Sequence, residues 1–215
     1  MWTAARSPAA VDQAWGSWYP NRVLLRMLLA GLTLALLATP AGAQSRRWVP
    51  VAGKSLVAFE ATHRMGDFRG TAETVTGEFE ADPADIRAGL TGTLRAPVAA
   101  LRTGDAGRDR DMRKLLQADT HRLIRYTIGG SEASFTSITA TADVLLTIKG
   151  ALEVRGVERP LVFAARARLI GDRIWVRGES TLKLTDFGME PPRRLGFRVG
   201  NQVGVSFDVT LRAAD

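Results

Sequence analysis

The sequence predicts an all-β protein: eight antiparallel strands closed into a barrel, with one short amphipathic helix. Three observations carry this. From Ala142 to Asp215, four consecutive runs alternate apolar and polar residues with period two, the mark of strands with one buried and one wet face. Four further runs upstream follow the same rule, and eight strands close around a lumen just wide enough for side chains or one slim ligand. A single stretch, residues 105–118, changes to a helical period.

Residues 1–43 read as an N-terminal extension and signal peptide, and residues 44–215 as the barrel domain. Arg22 and Arg26 form a positive start, and Met27 to Ala38 is an apolar run of 12 residues. Thr39-Pro40 ends it, and Ala41-Gly42-Ala43 fits a small-residue cleavage site. The run is shorter than the about 20 apolar residues that span a bilayer. The expected mature chain starts at Gln44, and the expected location is the periplasm. Residues 1–21 carry Trp2, Trp15 and Trp18 with few charges and no period, and the reading places the translation start after them, at Val23.

The predicted strands are 55–64, 72–81, 88–98, 123–130, 140–155, 160–170, 173–184 and 202–212. Trp48 to Val51 is a short lead-in. Val57, Phe59 and Ala61 face one way in the first strand, and Val75, Gly77 and Phe79 in the second. Gly66-Asp67 and Gly70 read as the turn between them. Leu90, Gly92, Leu94, Ala96 and Val98 give the third strand, and Ile124, Tyr126 and Ile128 the fourth. Between them Met112, Leu115 and Leu116 recur at helical spacing, after an N-cap at Gly104-Asp105, for a helix outside or across one barrel end. Phe135 to Thr141 reads as the start of the fifth strand, which continues through Val144, Leu146, Ile148, Leu152 and Val154. Residues 156–160 break the run. Leu161, Phe163, Ala165 and Ala167 resume it, Gly171-Asp172 turns the chain, and Ile174, Val176 and Leu182 follow. Val203, Val205, Phe207, Val209 and Leu211 close the sheet.

The net charge is +7, and only Arg6, Arg22, Arg26 and Asp12 of the charged residues lie in the leader. The basic residues are dispersed, with no dense block and little aromatic interleaving, which disfavours nucleic acid as a partner. There is no cysteine, so disulfides, thiol catalysis and cysteine metal sites are excluded. His63 and His121 stand in no metal-ligand spacing. Asp105, Asp109 and Asp111 alternate with Arg108 and Arg110 and lack the glycine and distal glutamate of a calcium loop. No nucleophile elbow or phosphate-binding loop is present. The reading therefore calls for no catalytic residue, cofactor or metal.

Gly150-Ala-Leu-Glu-Val-Arg-Gly-Val-Glu-Arg-Pro160 resembles the G-x-L-x-x-x-G-V-x-R-P signature of the YceI-like proteins. Leu184-Thr-Asp-Phe-Gly-Met189 is similar to their late D-F-G segment, Val203–Leu211 to their closing strand, and Phe59 through Glu80 to their opening hairpin. Asp109, Asp111 and Arg113 correspond to a charged helix in that family, whereas the family's proline near the Tyr126 position is missing. The resemblance runs from about Trp48 to the C-terminus. It implies an eight-stranded, lipocalin-like barrel with a long isoprenoid lipid in its lumen.

The inward parity supplies the candidate ligand-binding residues: Val57, Phe59, Phe79, Leu94, Tyr126, Ile148, Leu152, Phe163, Val176, Leu182 and Phe207. Ala61, Gly77, Gly92, Ala96, Gly150, Ala165, Ala167 and Gly178 interleave with them, and such small residues are expected to leave room for a tunnel. Strands of about ten residues rise roughly 33 Å, which suits an extended chain. Arg193 and Arg194, with Arg198 nearby, are the candidate grip on an anionic head group, against a plain solvated loop. The expected function is a periplasmic binding or carrier protein for an isoprenoid lipid, a polyprenyl phosphate or a quinone tail, in transient contact with a membrane surface and with room for a homodimer. Two alternatives stand beside it. One is a filled-core module for envelope stress or interaction. The other is an enzyme on a small apolar substrate, for which Tyr126 is the one inward polar candidate. N-terminal sequencing of the exported protein is expected to begin at Gln44; a chain that still carries Arg26 would show that the leader is retained.

Overall fold

Each strand of an alternating sheet needs a hydrogen-bonding neighbour on both edges, and closure supplies one at the two ends. A computed structural model describes residues 45–63, 66–194 and 197–214, with the side chains of 63, 193, 194, 197 and 198 outside the description. The leader and Gln44 lie outside the described residues. The strands are β1 Arg46–His63, β2 Phe68–Ala72, β3 Thr76–Ala81, β4 Leu90–Pro97, β5 Leu123–Ala133, β6 Val144–Val154, β7 Val157–Ile170, β8 Arg173–Lys183, β9 Arg193–Arg194 and β10 Phe197–Ala213. Neighbours pair antiparallel around the sheet, and β1 pairs with β10 to close it. Ten segments make eight staves. β2 and β3 both pair with the same edge of β1, through Val57–Ala61 and Arg46–Trp48, so they form one stave interrupted at residues 73–75. β9 is a two-residue spur on β10. Among the described residues the fold is a closed eight-stranded antiparallel barrel with one α-helix.

β1 starts nine residues before its predicted start at Ser55 because Trp48 pairs with Phe79 on one side and Ala213 on the other. The intervening residues hide the pattern, since the β1–β10 register slips between Pro50 and Ser55. A bulge leaves ladder groups without their regular partners. The buried Ser55 hydroxyl fills that gap, accepting from the Thr210 N–H and donating to the Thr210 carbonyl, each at 3.3 Å.

Other expectations are corrected by the backbone. Gly70 is no turn residue; it is buried within β2, where the Phe59 ring lies against its Cα and leaves no space for a Cβ. The β6–β7 connection is only Arg155-Gly156, not residues 156–160. Both adopt left-handed φ, 54° and 72°, as a two-residue hairpin turn requires. Pro160 lies inside β7, opposite Ala151. Residues 135–143 are not the start of β6. They cross one barrel end, with Ile138 buried and the Ile138 and Leu169 N–H groups donating to Pro83 and Thr139 carbonyls at 2.8 and 2.9 Å. Phe135 stays 60% exposed.

The helix, α1 Ala106–Leu115, forms where the period changes, and the Asp105 carboxylate caps it by accepting from the Arg108 N–H at 2.7 Å. Its chain leaves β4 through a one-turn 3-10 segment, Val98–Ala100, and returns to β5. Among the described residues no helix is long and apolar enough to cross a membrane.

Inward rings are matched to side-chain-free neighbours. A Cβ on Gly150 would stand 2.8 Å from the Tyr126 ring, one on Gly178 2.5 Å from Phe207, and one on Gly92 2.8 Å from Phe79. Overpacking of this kind costs about 1–3 kcal/mol. Gly150→Ala is therefore expected to lower stability by that amount in urea unfolding. Gly130→Ala, where an added Cβ meets nothing within 4 Å, is expected to leave stability unchanged or slightly raised.

Candidate functional site

The lumen is not one tunnel. At one end Trp48, Ile86, Leu90, Ile138, Ile174 and Leu211 pack together, and the residual space is only about 60 Å³. The Trp48 indole N–H donates to the Ala81 carbonyl at 3.2 Å and fixes that plug. At the other end lies a cavity of about 760 Å³, within the roughly 300–1,000 Å³ of ligand sites. The chain ends that frame it are the start of β5 and β10 and the close of β1, β4, β6 and β8.

Of the predicted lining, Val57, Phe59, Leu94, Tyr126, Leu152, Phe163, Leu182 and Phe207 are brought together around this cavity. Phe79, Ile148 and Val176 are not; they belong to the packed end. Among the small residues, Ala61 and Ala96 line the cavity, but Gly77, Gly92, Gly150 and Gly178 do not open a passage. Their missing side chains are replaced by the rings of Phe79, Tyr126 and Phe207, so bulk is exchanged between strands instead of lost.

Two of those rings, Tyr126 and Phe207, stand with Phe163 between the two ends. Tyr126 and Phe163 meet edge to face at 5.0 Å, and Phe163 and Phe207 at 5.1 Å. The Tyr126 hydroxyl lies within hydrogen-bond reach of the Ile148 carbonyl at 3.1 Å and the Leu161 carbonyl at 3.0 Å. Burial pushes its pKa up to about 12, so it stays protonated and serves as a donor to main chain across three strands. That geometry makes it a floor tile of the cavity.

The roof is α1. Arg108, Asp111, Met112 and Leu115, at helical spacing, line the cavity together with Leu116. The sequence marked the amphipathic face but assigned none of these residues to the site. Their i, i+3, i+4, i+7 pattern was the available signal. Phe68, Leu101, Met189 and Val199 also line it and were not singled out. Met189 is set by the 3-10 turn Leu184–Phe187, which buries Phe187 and ends on left-handed Gly188. The backbone of Arg193 and Arg194 forms β9 beside two lining residues, Pro192 and Val199; the head-group role expected of their side chains lies outside the described residues.

The roof is anchored by Asp109, which is buried and accepts from the Thr103 hydroxyl at 2.6 Å and the Thr103 N–H at 2.8 Å. The Thr103 hydroxyl bond, above all, lowers its pKa against the opposing effect of burial.

A YceI-like domain model matches residues 48–211. The chain belongs to the YceI-like family. Solved structures of similar fold include BcnA of Burkholderia cenocepacia, 14% identical with a TM-score of 0.63 over 75% of this chain and 98% of that one. A polyisoprenoid binding domain from Saccharophagus degradans, implicated in plant cell wall breakdown, is 16% identical with a TM-score of 0.61 over 78% and 98%. The YceI protein of Campylobacter jejuni is 15% identical with a TM-score of 0.55 over 68% and 84%. A search of curated proteins gave no match. At these identities the structures establish the fold of this YceI-like domain.

Asp109→Ala is expected to cost about 1–3 kcal/mol near neutral pH, because two Thr103 donors lose their acceptor. A carboxylate with a depressed folded pKa contributes its full stability above the unfolded value of about 3.9 and loses it as pH falls through the folded one. The gap between variant and wild type in urea unfolding is therefore expected to narrow below about pH 4.

Proposed function

We propose that this YceI-like protein is a periplasmic carrier that holds the tail of an isoprenoid lipid, a polyprenyl phosphate or a quinone, in the cavity under α1. The observation that carries this reading is the chemistry of the cavity wall. Its floor is three aromatic rings and its sides are mostly aliphatic and aromatic, with the polar residues Asp67, Asp105, Arg108, Asp111 and Ser206 among them, over about 760 Å³. At roughly 30 Å³ per molecule that volume equals about 25 waters, which such a wall would leave with few partners. An apolar occupant fits it better. Methyl-branched prenyl units present many short contacts to an irregular aliphatic wall of this kind. The similarity in fold to a structure described as a polyisoprenoid binding domain supports the same chemistry.

Transfer of such a tail from a membrane into the barrel exchanges one apolar medium for another. The net free energy is small, and the protein can take up and give back its cargo on transient contact with a membrane surface. That behaviour suits a carrier. The export leader read in the sequence supports the periplasmic location. A filled-core module would leave the cavity without a use. Tyr126, the inward polar residue singled out for an enzymatic role, spends its hydroxyl on backbone carbonyls.

Mass spectrometry of an organic extract from the purified full chain tests the reading. A stoichiometric prenyl lipid is expected. A lipid-free extract from protein that also refuses added prenyl lipid would reject it. Ala96→Phe places a ring in the cavity where a methyl now lines it, and is expected to abolish the lipid while circular dichroism still reports the barrel.

A further inference from the structure

Resting on that reading, we propose that residues 103–121 form a hinged flap that opens onto an anionic bilayer, so that the surface exchanging the lipid also uncovers the cavity. The main-chain hydrogen bonds of this segment close within it. The Thr103 N–H donates to the Asp109 carboxylate at 2.8 Å and the Arg108 N–H to the Asp105 carboxylate at 2.7 Å. At the other end the Ala118 N–H donates to the Arg113 carbonyl at 3.0 Å, and the His121 N–H to the Gln117 carbonyl at 2.8 Å. The residues just outside the segment are tied to the barrel instead. Arg102 and Thr71 exchange two main-chain bonds at 2.8 Å, and the Val98 N–H donates to the Arg122 carbonyl at 2.9 Å. A left-handed residue stands inside each tie, Gly104 with φ 79° and Gln117 with φ 51°. The segment is thus one body between two fixed points, and no strand pairing has to break for it to swing.

Its inner face is held by contacts that a bilayer can replace. Met112 and Leu115 pack against the apolar cluster, and Leu116 is buried in it. Such contacts are non-directional, so acyl chains serve as well as the cavity wall. The opposite face of α1 carries Arg110, Arg113 and Lys114. No carboxylate of the helix shares that face, since Asp109 is turned onto Thr103 and Asp111 lines the cavity. Leu123, 39% exposed at the same rim, adds an apolar side chain beside the Arg122 tie. A basic face opposite an apolar stripe is the pattern of a helix that lies in an anionic lipid interface. In the closed protein the three cations meet the lipid phosphates first. The flap then turns Met112, Leu115 and Leu116 into the acyl boundary and leaves the cations at head-group level.

The test uses the exported protein with vesicles of phosphatidylcholine, alone or mixed with phosphatidylglycerol, at low salt. Co-flotation is expected with the anionic vesicles and not with the neutral ones. Arg110→Gln, Arg113→Gln and Lys114→Gln together are expected to weaken it about a hundredfold, the worth of three cations near a charged surface. Arg46→Gln, Arg47→Gln and Lys54→Gln remove the same charge from exposed positions toward the plugged end of β1, and are expected to leave it nearly unchanged. Opening is read separately. Met112→Cys supplies the sole thiol of a cysteine-free chain for a bimane label. Brominated acyl chains are expected to quench that label on anionic vesicles and to leave it bright with neutral ones. A label that stays bright on bound anionic vesicles means docking with a closed roof and overturns the proposal. Flotation with both vesicles or with neither overturns it too, as does an equal loss in the two triple variants, which would assign the attraction to net charge. Uptake of a fluorescent prenyl probe tests the carrier reading by itself: protein that is quenched on vesicles yet takes up no probe removes that reading and leaves the flap.

Discussion

The pairing of β1 with β10 is the constraint on which the rest of the molecule depends. It removes both free edges of the sheet and gives every inward side chain a wall to face. A closed sheet has only two ends, and everything particular to this protein happens at them. Closure also requires that long strands bend, and β1 does so at the slip between Pro50 and Ser55. There the serine hydroxyl takes the place of a ladder partner, so a single side chain lets the seam continue across a defect.

Within the closed wall, the ring-over-glycine pairs decide how the interior is divided. A glycine on one strand and a ring on the next occupy the volume of two medium side chains, but the ring can reach across the lumen. Tyr126 over Gly150 and Phe207 over Gly178 reach the middle of the barrel and meet Phe163 there. One end of the lumen is thereby packed down to a residual space of about 60 Å³. The other half keeps its space, covered by a helix whose lining face mixes Met112 and Leu115 with Arg108 and Asp111. The division places the aromatic floor and the mixed polar and apolar roof at different heights.

Period-two alternation made the fold legible, since parity survives wherever strand pairing is regular. β6, β7, β8 and β10 lie close to where the pattern puts them. Eight of the eleven residues chosen by parity surround the cavity, and the other three show what parity cannot carry: Phe79, Ile148 and Val176 face inward but at the packed height. Height along the barrel depends on which segments cross the ends, and those segments have no period. Residues 135–143 read as strand because they carry apolar residues, yet their backbone hydrogen bonds go to Pro83, to Ile86 and to Leu169 near the end of β7, with no ladder. The glycines misled for a related reason. A small inward residue signals space only until the neighbouring strand is known, and the register that puts Tyr126 against Gly150 is not written in either strand alone.

The plug made by Trp48, Ile86 and Ile138 gives the barrel the topology of a vial with one neck. Whatever occupies it must leave through the opening it used to enter. Successive occupants cannot queue or pass, so occupancy is all or none. On the carrier reading proposed above, a handover between two membranes requires the whole protein to turn around between donor and acceptor.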